Sequence, residues 1–93
     1  MIESFADKQT EQVHSRQFSK KLPQDIQRTP RRKLLLIAAA TDVNDLRSPP
    51  GNHLEKLTGD RNGQYSIRIN GQYRICFNWT GNTAHNVEIV DYH

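Results

Sequence analysis

GDRNGQYSIRINGQYRICFNW, residues 59–79, contains two alternating runs joined by a turn. Tyr65, Ile67 and Ile69, then Tyr73, Ile75, Phe77 and Trp79, are apolar, while Ser66, Arg68, Arg74, Cys76 and Asn78 are small or polar. Alternation with a period of two marks half-buried antiparallel strands. Asn70-Gly71 signals the turn, but the usual two-residue loop would set Ile67 against Arg74 on one face. The apolar pattern instead requires a three-residue loop, Asn70, Gly71 and Gln72. In that register Ile67 faces Ile75, Tyr65 faces Phe77, and Arg68 stands directly against Arg74. Unit charges roughly 6 Å apart, at an effective dielectric of about 20, repel by about 3 kcal/mol. A sheet with an apolar back and this doubly cationic front is a candidate anion platform.

The chain has 93 residues, 34% apolar and 25% charged, which predicts a single domain over residues 1–93 with a lean core. One cysteine excludes an intramolecular disulfide, and Cys76 reads as a buried thiol on the polar side of a strand. The opening MIESFADK has neither a basic nor an apolar region, and the longest apolar run is Leu34 to Ala40. No signal peptide or membrane span is expected, and the protein is predicted to be cytoplasmic. The net charge is +3, unevenly placed: residues 16–33 carry seven Lys or Arg and one acid, residues 51–93 four of each sign. Polyanion contact and a solvated helix face both explain the basic block.

In chain order, Ile2 to Phe5 reads as an edge strand, and Asp7 to Gln17 as a short or irregular helix. Lys20-Lys21-Leu22-Pro23 is a basic loop leading into a helix that runs to about Ala40. That helix sets Ile26, Leu34, Ile37 and Thr41 on one face and Arg28, Arg31 and Arg32 outside, with a kink or restart at Thr29-Pro30. A further turn is expected over Asp42 to Leu46, a rigid loop over Ser48 to Asn52, and a short strand over Leu54 to Leu57. The last strand, Ala84 to Val90, alternates Val87 and Ile89 against Asn86 and Glu88. The fold class is therefore α+β: an N-terminal strand and helices packed on one face of a mainly antiparallel sheet, the arginine face left open.

RNA cleavage asks for a base, an acid and positive charge on the phosphate. Tyr92 shares the parity of Asn86 and Glu88 and should emerge beside Arg68 and Arg74, whereas His93 needs a bend at the terminus to join it. The bland alternative is that terminal residues fray. His14, His53 and His85 are scattered without metal-ligand spacing, so neither a metal nor a cofactor is expected. Glu55 and Asp91 have acid or base chemistry available, but carboxylates so placed are more often plain surface residues.

LRSPPGNHLEKLTGDRNGQYSIRINGQYRICFNW, residues 46–79, together with the ending VEIVDYH, residues 87–93, resembles the HigB toxins of bacterial toxin–antitoxin systems, within the RelE/ParE superfamily. The resemblance implies a small microbial ribonuclease-like fold and cleavage of mRNA on the translating ribosome. It also implies inhibition by a helix-turn-helix antitoxin, HigA, through which alone operator DNA would be reached. The family's Asp-Tyr-His ending falls on Asp91, Tyr92 and His93, the superfamily's strand arginine on Arg74, and a second basic position on Arg68. Where some relatives carry a histidine and a lysine, this sequence has Glu55 and Thr58, with His53 two residues before Glu55. Substrate contacts are expected from His53, Lys56, Lys20, Lys21, Arg31 and Arg32. A non-enzymatic gyrase inhibitor on the same fold, like the ParE toxins, is the alternative, and a bare nucleic-acid-binding module is a third reading.

Overall fold

The computed structural model describes residues 1–15 and 28–91. Several residues with an expected role, among them Arg16, Phe18, Lys20, Lys21, Pro23, Asp25, Ile26, Tyr92 and His93, lie outside the described residues, as does any start of the second helix before Arg28. The architecture is α+β. Helices α1 (Lys8–His14) and α2 (Arg28–Ala39) precede strands β1 (Glu55–Lys56), β2 (Gln64–Arg68), β3 (Tyr73–Thr80) and β4 (Thr83–Asp91). The strands form one antiparallel sheet in the order β1-β2-β3-β4.

The β2–β3 hairpin has the register that its hydrophobic pattern dictates: Tyr65 opposite Phe77, Ile67 opposite Ile75, Arg68 opposite Arg74. Its three-residue loop is closed by Ile69 and Asn70, whose N–H groups donate to Tyr73 O at 3.0 and 3.3 Å. Asn70 Oδ1 accepts from the backbone N–H groups of Gln72 and Tyr73 at 2.8 and 2.9 Å, so the asparagine side chain caps its own turn.

Ile67, Ile75, Phe77 and Val87 share the inner face and form one core with Val13 of α1 and Leu34 and Ile37 of α2. Tyr65 stacks beside Phe77 at 6.3 Å, and Trp79 meets it edge-on at 6.2 Å. The last strand departs from simple alternation. Between the pairs Cys76–Glu88 and Asn78–His85 it carries one extra residue, and Asn86 takes a left-handed conformation with φ 52°. This bulge lets Ala84 and Val87, three positions apart, both reach the core.

The N-terminal segment runs parallel to the outer edge of β4, with Ile2 bridged to Ala84 and Phe5 to Val87. Beyond it, buried Thr10 of α1 accepts the Ile89 N–H on its hydroxyl at 3.0 Å, so the edge stays satisfied where the parallel segment ends. Asp7 caps α1 by accepting the Thr10 N–H at 2.7 Å.

Two details of α2 differ from the pattern reading. Thr41 is exposed and Ala40 is buried instead, because the helix stops at Ala39. The Asp45 carboxylate draws in the N–H groups of Thr41 and Asp42, both at 3.1 Å, and starts a 3-10 turn over Val43–Arg47. The second difference is Lys33: it belongs to the basic block by sequence, yet it is 7% exposed and its ammonium donates to Asn52 Oδ1.

Candidate functional site

The outer face of the sheet is not bare. Ser66 and Cys76 on it are fully buried, covered by a layer of longer polar side chains. Arg61 donates to Gln64 Oε1 at 3.0 Å and to Glu88 Oε1 at 3.3 Å, while Gln64 Nε2 donates to Asn78 Oδ1 at 3.3 Å. Under this lid the Cys76 thiol is pushed up from its ordinary pKa by burial, which marks it as an inert buried thiol.

Arg74 lies in the same layer. Its Nε donates to Ser66 Oγ at 2.8 Å and its Nη2 to the His53 backbone carbonyl at 2.7 Å. Glu55 Oε2 stands 3.9 Å from Nη2, and the arginine side chain is 12% exposed. The guanidinium is therefore aimed across β2 towards β1. Arg68, its cross-strand neighbour, is exposed and turns the other way, donating from Nε to the Asn70 carbonyl at 3.1 Å. The two cations are opposite in register but splayed in space, which relieves much of the repulsion that their positions alone imply. Between them lies a concavity of about 150 Å³ lined by Arg68, Asn70, Gly71, Gln72 and Arg74.

The other sequence candidates fall around this concavity or away from it. Asp91 ends β4 opposite Tyr73, with Val90 opposite Arg74, and its carboxylate accepts from Gln72 Nε2 at 3.1 Å. His53 is exposed and left-handed, φ 45°, and its backbone carbonyl, rather than its ring, is what reaches Arg74. Lys56 pairs with Tyr65 and so belongs to the other face of the sheet from Glu55, which pairs with Ser66. Arg32 is exposed on α2 and Arg31 half-buried. Nothing in the sequence gives Ser66, Asn52 or Lys33 a place at this site. A serine between two apolar strand residues, and an asparagine in a Pro-Pro-Gly-Asn loop, carry no signal of the partners they find. Among the described residues no group of His, Cys, Asp or Glu is placed to hold a metal ion, and no helix is long and apolar enough to cross a membrane.

Comparison with known sequences decides the family. Residues 3–93 match the HigB-like toxins, described as RelE-like toxins of type II toxin–antitoxin systems. The chain belongs to the HigB-like toxin family. It is 41% identical over 87 residues to a protein of Vibrio cholerae named Toxin HigB-1, covering 92% of each chain. It is 32% identical over 94 aligned positions to Endoribonuclease HigB of Proteus vulgaris, covering both chains fully. An uncharacterised Haemophilus influenzae protein is 45% identical over 67 residues, 72% of this chain and 66% of that one. The fold is also that of a chain in the YoeB–YefM complex from Staphylococcus aureus, with a TM-score of 0.62 at 18% identity over 100% of this chain and 98% of the other. In this HigB-like toxin Glu55 stands beside Arg74.

The geometry lends itself to an anion test. Phosphate or sulfate should raise the melting temperature more than chloride at matched ionic strength, because an oxyanion in the concavity lies between two arginine residues. Arg68→Gln should remove that difference and itself raise Tm by roughly 1–5 °C in low salt, given the size of like-charge cross-strand pairs. Equal shifts with all three anions would show that the arginines hold no anion.

Proposed function

We propose that this chain is the toxin of a type II toxin–antitoxin pair and acts as a ribosome-dependent endoribonuclease, cutting translated mRNA and so arresting protein synthesis and growth. The observation that supports this reading is the cross-strand pair Arg68 and Arg74 on the outer face of the sheet, with a concavity of about 150 Å³ between them. Asp91, at the end of β4, lies opposite Tyr73, and Val90 opposite Arg74; in this reading the Asp91-Tyr92-His93 ending supplies the proton-transfer groups. The similarity to a relative named Endoribonuclease HigB supports the same reaction class.

In this reading Arg68 and Arg74 hold the scissile phosphate and offset the charge it gains as the 2′-oxygen attacks. One group takes the 2′-hydroxyl proton and another returns a proton to the departing 5′-oxygen. Tyr92 and His93 handle these transfers. Glu55, ion-paired with Arg74, is a second proton acceptor on the same face. The reaction needs neither metal nor cofactor. The partner that restrains the toxin is a HigA-like helix-turn-helix antitoxin, which alone contacts operator DNA; the YoeB–YefM complex supports an antitoxin partner by fold analogy.

The concavity carries too little charge to hold a ribosome, and the basic segment from Arg16 to Arg32 supplies the remainder through phosphate contacts. Charge reversal at Lys20, Lys21, Arg31 and Arg32 should weaken ribosome co-sedimentation by roughly tenfold or more at moderate salt. Unchanged co-sedimentation would make the block a solvated helix face. Primer extension on mRNA from cells expressing the chain tests the reaction itself. Breaks within translated reading frames are expected, whereas intact mRNA with gyrase-linked DNA damage would establish the ParE-like alternative.

A further inference from the structure

We infer that Lys33 and Asn52 are positioning residues for Arg74, acting through the loop between α2 and β1; this rests on the phosphate-binding role proposed for Arg74. Lys33 is 7% exposed, and burial, reinforced by the neighbouring Arg32 charge, pulls its pKa below the ordinary lysine value. A buried ammonium costs stability unless it is well paired. It donates to Asn52 Oδ1. Asn52, itself fully buried, spends its amide on the loop: Nδ2 donates to Leu46 O and to Ser48 O, both at 3.2 Å. Its backbone N–H donates to Pro49 O at 2.9 Å, closing the 3-10 turn Pro50–Asn52.

The next residue is His53, whose left-handed φ of 45° turns its carbonyl onto Arg74 Nη2 at 2.7 Å. Two residues on, Glu55 places its carboxylate 3.9 Å from the same nitrogen. Lys33 on α2 thus fixes Asn52, Asn52 fixes the loop, and the loop fixes one side of the guanidinium while Ser66 Oγ fixes the other at 2.8 Å. Arginine has a long, rotamer-rich stem, so a fork held from two sides is pre-aimed at its phosphate and one held from a single side is not. A chain that needed this loop for stability alone would do better with an apolar residue than with a buried charge at position 33.

The test compares Lys33→Met, which keeps length and removes the donor, with the natural chain in cleavage of mRNA on reconstituted translating ribosomes. The saturating cleavage rate should fall roughly 10- to 100-fold, the cost of a displaced reacting group. The toxin concentration for half-maximal rate should stay within about twofold, because the exposed phosphate-contacting surface is intact. The chain should stay folded with a Tm lower by roughly 10 °C at most, because the loss of a desolvated charge offsets part of the cost of leaving the buried Asn52 Oδ1 without its donor. The Arg74 Nε–Hε resonance, expected to be sharp and slowly exchanging in the natural chain because Nε donates to Ser66 Oγ, should broaden or exchange faster in the variant. Should Lys33→Met not fold, Lys33→Gln, which retains a shorter donor, should show the same loss in part. A full cleavage rate with an unchanged Arg74 resonance in a folded Lys33 variant overturns the inference, even while Arg74→Ala is inactive. An active Arg74→Ala overturns the underlying reading instead.

Discussion

Arg74→Ala is expected to abolish growth arrest and to slow mRNA cleavage by about 10²- to 10³-fold, the usual loss when one charge-stabilising donor leaves an active site. The fold should survive. The substitution strips donors from Ser66 Oγ and the His53 carbonyl, at about 1–3 kcal/mol, against a total stability for a domain of this size of about 5–15 kcal/mol. His53 is exposed, so water takes over its carbonyl and holds the cost towards the lower end. Circular dichroism and thermal melting check the fold while a growth assay checks toxicity. Arg74→Lys should also be weak, because a lysine cannot donate to Ser66 and to His53 at the same time as it faces a phosphate. Growth arrest by a folded Arg74→Ala chain would remove Arg74 from the mechanism.

Phe77→Ala is expected to be the most destabilising single substitution in the sheet. Phe77 is fully buried between Tyr65 and Trp79, and loss of a buried Phe side chain costs about 3–5 kcal/mol. Against the lower end of the stability expected for such a domain that is half or more, so Tm should drop by roughly 15–30 °C and toxicity should vanish through unfolding rather than through chemistry. Denaturant melts separate this case from Arg74→Ala: the midpoint collapses in one and shifts little in the other. A Tm within a few degrees of the natural chain would mean that the aromatic cluster is not the centre of the core.

The hairpin is readable because its information is local. Period-two alternation on both sides of Asn70-Gly71 leaves one register in which every apolar residue faces inward, and that register is the one observed. The start of α1 and the turn after Ala40 are readable for the same reason, since Asp7 and Asp42 are the caps from which each begins. The bulge at Asn86 is not readable. Alternation counted through Ala84 to Val90 misses an extra residue whose only local sign is an asparagine able to take a left-handed conformation.

At the site, positions are legible and directions are not. The sequence places Arg68 and Arg74 side by side, but the direction of each guanidinium depends on a carbonyl 21 residues away in sequence, His53, and on the hairpin's own Asn70. Lys33 shows the same limit more sharply. In a run of basic residues it looks like any other cation, and its burial depends on an asparagine 19 residues further on that no periodicity connects to it.

The most direct test of the central claim is 5′-end mapping of a defined mRNA in a reconstituted translation system, with the purified chain present and ribosomes either translating or omitted. Discrete cuts inside the reading frame are expected when ribosomes translate, none on free mRNA, and none with Arg74→Ala. Uncut message in the presence of translating ribosomes, or the same cuts from Arg74→Ala as from the natural chain, would contradict ribosome-dependent cleavage centred on Arg74.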